Sequence, residues 1–325
     1  MESQFLLWKA LTTKNGMLGQ SESFMLTTVN RVPFVYLNGT ICESHKARIS
    51  IYDRGFLYGD GVFETVRVYN GRTFCLEEHM ERLENSARGI QLSLPPVLRS
   101  STAVAQIIRD LLKRNGLTDA TIRIVVTRGE NRDLGYAHSL ATEPTLAIIA
   151  RPLPADILEV QSRGVRVIVS SVRRVSIDAL SPHIKSNNVL NNILAYLETE
   201  ATGAYEAIML NHDGYVAEGT RSNVFIVKNG IVKTPPLSAG ILSGVTRSVV
   251  MKLAGEEPQV TVAEELFGVT ELQGADEVFL THTTMEIVPV VQIGETRIGQ
   301  GIPGYLTTEF QQRFRTYVQK WLGGT

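Results

Sequence analysis

Short runs of alternating apolar and polar residues are interleaved, along most of this chain, with stretches whose apolar residues recur every three or four positions. The first pattern predicts strands and the second predicts helices. Residues 1–29 show neither and read as an N-terminal extension, so the folded body is expected to begin near Arg31. Residues 33–40 read as strand, turn and strand. Over 47–69 the pattern predicts strand, glycine-rich turn and strand, closed by Asn70-Gly71, a dipeptide that favours tight hairpins. Helices are expected over 76–89 and 100–115, with Pro95-Pro96 forcing a break between them. Residues 121–127 and 145–150 are β-rich.

The proline-bearing stretch 151–156 reads as a linker. It divides the chain into a small α/β domain over 30–150 and a larger one over 157–325. In the second, strands are expected near 165–170, 206–210, 215–217, 223–227 and 277–280, with helices near 188–202, 246–253 and 303–321. The fold class that follows is α/β (α+β) with two domains.

Composition narrows the partners. With 43% hydrophobic and 20% charged residues and a formal net charge of -1, the chain has no broad attraction for nucleic acid or an anionic membrane. No run approaches the ~20 apolar residues of a membrane span, and the N-terminus lacks the pattern of a signal peptide. Cys42 and Cys75 fall in no CxxC pair and no zinc spacing, so they read as reduced thiols of a cytoplasmic protein. The Asn38-Gly39-Thr40 sequon is then a chance match. Small molecules and further copies of the chain are the expected partners, and no metal is expected.

The chemistry concentrates in four places. Lys185 precedes Ser186, Asn187 and Asn188, residue types that cap helix starts, and Val189, Leu190, Ile193, Leu194 and Leu197 then predict a helix's buried face. The lysine is thus expected at a strand-to-helix junction; by position alone it reads as a solvated group. Glu218 lies beside Gly219 in an apolar strand, where a buried carboxylate needs a cationic partner such as a protonated pyridine nitrogen. Gly240 and Gly244 precede Thr246 at a helix start, where free N–H groups and the helix dipole offer a phosphate seat. Arg82 and His79 share a helix, as a second phosphate contact or as a solvated face. The run from Gly299 to Gly304 matches GxGxxG but lacks the strand-to-helix setting, and Pro303 removes an N–H, so it reads as a turn.

Taken in order, YDRGFLYGDGVFETVRVYNG, EHMERL, RIVVTRGENRDLGY, HIKSNNVLNN, VAEGTRSNVFIV, GILSGVTR and FLTHTTMEIVPV resemble the class IV aminotransferases of pyridoxal-phosphate fold type IV. The resemblance implies pyridoxal 5'-phosphate as cofactor and a homodimer with active sites near the subunit interface. It implies Lys185 as the Schiff-base lysine and Glu218 as partner of the pyridine nitrogen. Arg82, Val245, Thr246 and Thr283 match phosphate contacts, and Ser222 and Asn223 fall in the matched cofactor segment. Arg123 matches an arginine that recognises substrate carboxylates in branched-chain enzymes.

Some positions depart from the branched-chain pattern. Val189 and Thr121 stand where those enzymes carry tyrosines, and Thr281-His282-Thr283-Thr284 replaces a Gly-Thr-Ala run. The paired threonines and the SNVF segment look more like D-amino-acid aminotransferases, but Phe63 and Arg123 sit where those tend to have tyrosines. The overall similarity favours a branched-chain L-amino acid and a 2-oxo acid such as 2-oxoglutarate as substrates. D-amino-acid transfer is the second reading, aminodeoxychorismate lyase the third, and a degenerate binding protein the non-enzymatic one. Phe63 and Val189 are expected as apolar wall, with Thr65 and Thr284 offering hydroxyls to a carboxylate.

Overall fold

The computed structural model describes residues 32–137, 143–257 and 260–323, so the extension expected over 1–29 lies outside them. Strands β1 (Phe34–Leu37) and β2 (Thr40–Glu43) form the expected hairpin. The strand expected next does not form. Its place is taken by irregular chain and a short helix, α1 (Arg54–Tyr58), because Asp53 caps the Gly55 N–H at 2.7 Å and Gly59 closes the turn at φ 70°. Then come β3 (Gly61–Tyr69), β4 (Arg72–Thr73), α2 (Leu76–Gly89), α3 (Ser101–Asn115), β5 (Ala120–Thr127) and β6 (Thr145–Arg151). The sheet order is β2-β1-β6-β5-β3-β4, antiparallel throughout.

Alternation gives this sheet two characters. Val62, Val66, Val68, Ile122 and Ile124 turn inward and bury with Leu83, Ile108 and Leu111 of α2 and α3. The intervening residues Phe63, Thr65 and Arg123 line a cleft instead.

After the crossing at 151–156 come α4 (Ile157–Arg163), β7 (Val165–Val169), α5 (Leu190–Thr202), β8 (Glu206–Leu210), β9 (Val216–Gly219), β10 (Asn223–Lys228) and β11 (Ile231–Thr234). Next are α6 (Val245–Gly255), β12 (Thr261–Glu264), α7 (Val269–Gln273), β13 (Glu277–His282), β14 (Glu286–Ile293), β15 (Thr296–Arg297) and α8 (Tyr305–Gly323). The second sheet runs β12-β11-β10-β13-β14-β7-β8-β9, with β15 on β14. Strand β14 escapes a sequence reading because Pro289 interrupts it. That proline pairs with Phe279 and precedes the point, Val290, where pairing to β7 begins, so its missing N–H costs no ladder bond there. Residues 299–304 form the turn expected of them.

Helix α5 corrects the sequence reading most sharply. Its expected buried face is exposed: Leu190 to 61%, Ile193 to 47%, and Leu194 and Leu197 to 48% each. Ala195 and Thr199 are buried instead. No side chain caps the helix, and Lys185 lies in a loop ahead of it rather than at a strand-to-helix junction.

Candidate active site

The Lys185 loop is stitched to β3 of the first sheet. Lys185 N–H donates to Ser86 Oγ at 3.0 Å, Phe63 N–H donates to the Lys185 carbonyl at 3.0 Å, and Asn187 N–H to the Gly61 carbonyl at 2.8 Å. These bonds bring the amine over the Phe63 ring, 4.6 Å from its centre. Burial, then the charge of Arg82, pulls the amine down to about 8 against Glu64 and Glu218. About a tenth is therefore uncharged at pH 7, far more than for an ordinary lysine, and the neutral form is the nucleophilic one.

Glu64 lies in the inward-facing series of β3, between Val62 and Val66, and is fully buried. Arg82 grips it with Nε at 2.6 Å and Nη2 at 2.8 Å, and Nδ1–H of His79 donates to it at 2.8 Å. Burial would raise this carboxyl, but Arg82 and His79 outweigh that and hold it well below the usual carboxylate range. His79 itself is pushed down, by burial foremost, and stays neutral. Arg82 Nη1 also donates to the Ser243 carbonyl at 2.8 Å, tying α2 to the turn ahead of α6.

That turn makes an anion seat. Gly244 caps α6 without a side-chain hydrogen bond, so the first N–H groups of the helix remain available, and Val245 and Thr246 border the cleft there. A Cβ at Gly244 would lie 2.0 Å from Asn223 Oδ1, so the backbone approaches closely only because the residue is glycine.

Glu218, next to last in β9, has both oxygens occupied. Oε1 pairs with Arg174 Nη2 at 3.0 Å, while Oε2 accepts from Asn223 Nδ2 at 3.1 Å and from Leu242 N–H at 2.9 Å. Burial raises its carboxyl above the ordinary value, with Arg174 the chief counterweight. Asn223 thus supports Glu218, and Ser222, on the cleft wall, also lies 3.5 Å from the buried Glu206.

Arg123 stacks on Phe63, 3.4 Å from the ring centre, and among the described residues no carboxylate pairs with it. Burial first, then Arg151, lowers it to about 10, which leaves it charged at neutral pH. Thr65, opposite Arg123 in the β3–β5 pairing, and Val189 share the cleft wall. The adjacent threonines of the 281–284 run separate: Thr283 borders the cleft, whereas the Thr284 hydroxyl meets that of Thr121 at 3.2 Å and its carbonyl accepts from Arg67. His282 accepts the N–H groups of Thr284 and Met285 through Nδ1, at 3.0 and 3.2 Å, and burial above all pulls it down to about 3. It is therefore a neutral clamp on the turn that carries both threonines.

Twelve of the thirteen site residues expected from sequence, Thr284 being the exception, border one cleft of about 430 Å³. Sequence reasoning missed Glu64, Arg174 and His282. Glu64 was detectable as a charge in the buried phase of an alternating strand; Arg174 and His282 carried no such local signal. An amine with a lowered proton affinity, a helix-start anion seat and a buried carboxylate suit a phosphorylated pyridine aldehyde. Beside them, a guanidinium without a carboxylate partner on an aromatic face suits a second, carboxylate-bearing molecule. No helix among the described residues is long and apolar enough to cross a membrane.

Comparison with known proteins gives a consistent picture. The family described as Amino-transferase class IV matches residues 61–293. A Methanocaldococcus jannaschii protein, provisionally named branched-chain-amino-acid aminotransferase, is 42% identical over 287 residues, covering 88% of this chain and 97% of the relative. A D-alanine aminotransferase of Staphylococcus epidermidis is 35% identical over 290 residues, covering 88% and 98%. The T.th. branched-chain amino acid aminotransferase, solved in complex with N-(5'-phosphopyridoxyl)-L-glutamate, superposes with a TM-score of 0.80 at 28% identity, covering 87% of this chain and 93% of that one.

Proposed function

This chain belongs to the class IV aminotransferase family and is a pyridoxal-phosphate enzyme, and we propose that it moves amino groups between branched-chain L-amino acids and 2-oxoglutarate. The carrying observation is Arg123: a charged guanidinium on the Phe63 ring, unpaired by any described carboxylate and set in a wall that includes Val189 and Ile193. Such a site holds the carboxylate of glutamate or 2-oxoglutarate in one half-reaction and leaves an apolar surface for leucine, isoleucine or valine in the other. The glutamate adduct seen in the T.th. relative is in keeping with it.

Bound pyridoxal phosphate supplies an aldehyde that condenses with amines and a ring that withdraws electrons from the substrate's α-carbon. The site residues fit it. Lys185 would hold the aldehyde, and its Nζ would carry the proton removed from the α-carbon. The N–H groups at the start of α6, with Thr246, Thr283 and the Arg82-anchored turn, would hold the phosphate. Glu218 would partner the ring nitrogen, with Asn223, which donates to it at 3.1 Å, keeping it aimed.

Two further features belong to this reading. The two sheets are two domains meeting at the cleft, with 151–156 as their crossing. The enzyme works as a homodimer, because the apolar face of α5 is left uncovered by the described residues.

D-Amino-acid transfer is the second reading, favoured by the D-alanine aminotransferase relatives and by Thr283 on the cleft wall. The two separate in a half-reaction. Loss of the visible absorbance band of the cofactor-loaded protein is followed after adding L-leucine, L-glutamate, D-alanine or D-glutamate. Fast loss with L-leucine and L-glutamate is expected; fast loss with D-alanine and none with L-leucine overturns the proposal.

A further inference from the structure

The reading of Glu218 as the ring-nitrogen partner leaves Arg174 without a role, yet Arg174 is the only charged group that hydrogen-bonds Glu218 among the described residues. Its fork is held on two sides: Nη2 lies 3.0 Å from Glu218 Oε1, and Nη1 donates to Asn192 Oδ1 on α5 at 3.0 Å. The backbone is fixed as well, Arg174 N–H donating to the Leu210 carbonyl at 2.9 Å. This geometry is kept although Nε is buried without a partner, a cost that only a specific aim of the other two nitrogens would offset.

We propose, resting on that reading of Glu218, that Arg174 is a positioning residue that keeps the proton on the ring nitrogen rather than on Glu218 when pyridoxal phosphate is bound. A carboxylate facing a pyridine nitrogen in a dry site has two forms. In one the proton is on nitrogen and the pair is ionic; in the other it is on oxygen and the pair is neutral. Burial favours the neutral form, since separated charge is costly away from water. The other in-chain donors to Glu218, Asn223 and Leu242 N–H, are uncharged. Among the nearby cations, Arg82 is already gripped by Glu64, and Lys185 loses its free ammonium when it holds the aldehyde. Arg174 alone brings a permanent charge into contact with the carboxylate, and a guanidinium does not release its proton at working pH. It tips the pair to the ionic form, in which the ring withdraws electrons.

The test separates charge from shape. Wild type, Arg174→Gln, Arg174→Lys and Glu218→Gln are loaded with cofactor labelled with ¹⁵N at the ring nitrogen, and the ¹⁵N chemical shift is read at one pH. Wild type and R174K are expected in the protonated range and R174Q in the unprotonated range, with a slower turnover and little change in KM. An R174Q shift equal to wild type overturns the proposal. If E218Q also matches wild type, the reading of Glu218 falls instead, whatever Arg174 does. Should R174Q not retain cofactor, the Glu218 carboxyl is titrated by ¹³C NMR in the cofactor-free proteins. A midpoint higher in R174Q than in wild type supports the proposal, and an unchanged midpoint overturns it.

Discussion

Phe63 carries two cations, the Lys185 ammonium 4.6 Å and the Arg123 guanidinium 3.4 Å from its ring centre, so the groups proposed to bear the cofactor and to read the substrate share one aromatic surface. The cost falls on Lys185. Its amine is pulled down to about 8 by burial and Arg82, so in the cofactor-free protein the charged form destabilises the fold. For a base whose folded pKa lies below its unfolded one, that penalty is complete below about pH 8 and gone above about pH 10.4. Lys185→Ala should therefore abolish amino transfer while making the cofactor-free protein more stable, by up to about 3 kcal/mol at pH 6.5 and by nothing measurable near pH 10.5. Urea unfolding at the two pH values checks this; a variant less stable than wild type at pH 6.5 would contradict it.

Helix α5 shows what periodicity reveals and what it hides. The apolar spacing at Leu190, Ile193, Leu194 and Leu197 is that of a helix seeking cover, and the helix forms, but the described residues supply no cover. Sequence patterns report that a face must be buried without saying by what. A second copy is the partner proposed above, and Leu194→Glu should weaken the dimer at least tenfold, the leucine alone contributing about 1–2 kcal/mol once covered. Sedimentation at micromolar concentration reads the outcome, and an unchanged dimer places the interface elsewhere. Strands and helices with clean periods, such as α2 at Leu76–Gly89, were legible to the residue. The segment after Ala47 was not, because Asp53 and Gly59 build a capped turn of helix from residues that look strand-like in isolation. The cleft lining was legible wherever one residue type implies a task, as with Lys185 and Glu218, both of which border it. Arg174 was invisible because its role depends on β9 and α5 meeting it in space.

At the scale of the molecule, the two sheets are joined by a buried polar knot. Glu286 accepts the Tyr69 hydroxyl at 2.8 Å and Gln161 Nε2 at 3.2 Å, and Arg67 lies 3.8 Å away while donating to the Thr284 carbonyl. Arg67→Met leaves Glu286 without its cation and should cost about 3 kcal/mol. Because the turn bearing Thr283 hangs on the same knot, cofactor affinity should fall together with the unfolding midpoint. Fluorescence titration and thermal melting test the pair; a melting loss with unaltered affinity would detach the knot from the site. The alternation of β3 has a longer reach. Its inward residue Glu64 fastens Arg82 and, through it, the turn ahead of α6, while its outward neighbours Phe63 and Thr65 line the cleft where the substrate is proposed to sit. One strand thus writes grip and taste on opposite faces, and a substitution at 65, which unlike 63 carries no contact to Lys185, is expected to change the diet without loosening the hold, the kind of separation from which new specificities arise by small steps.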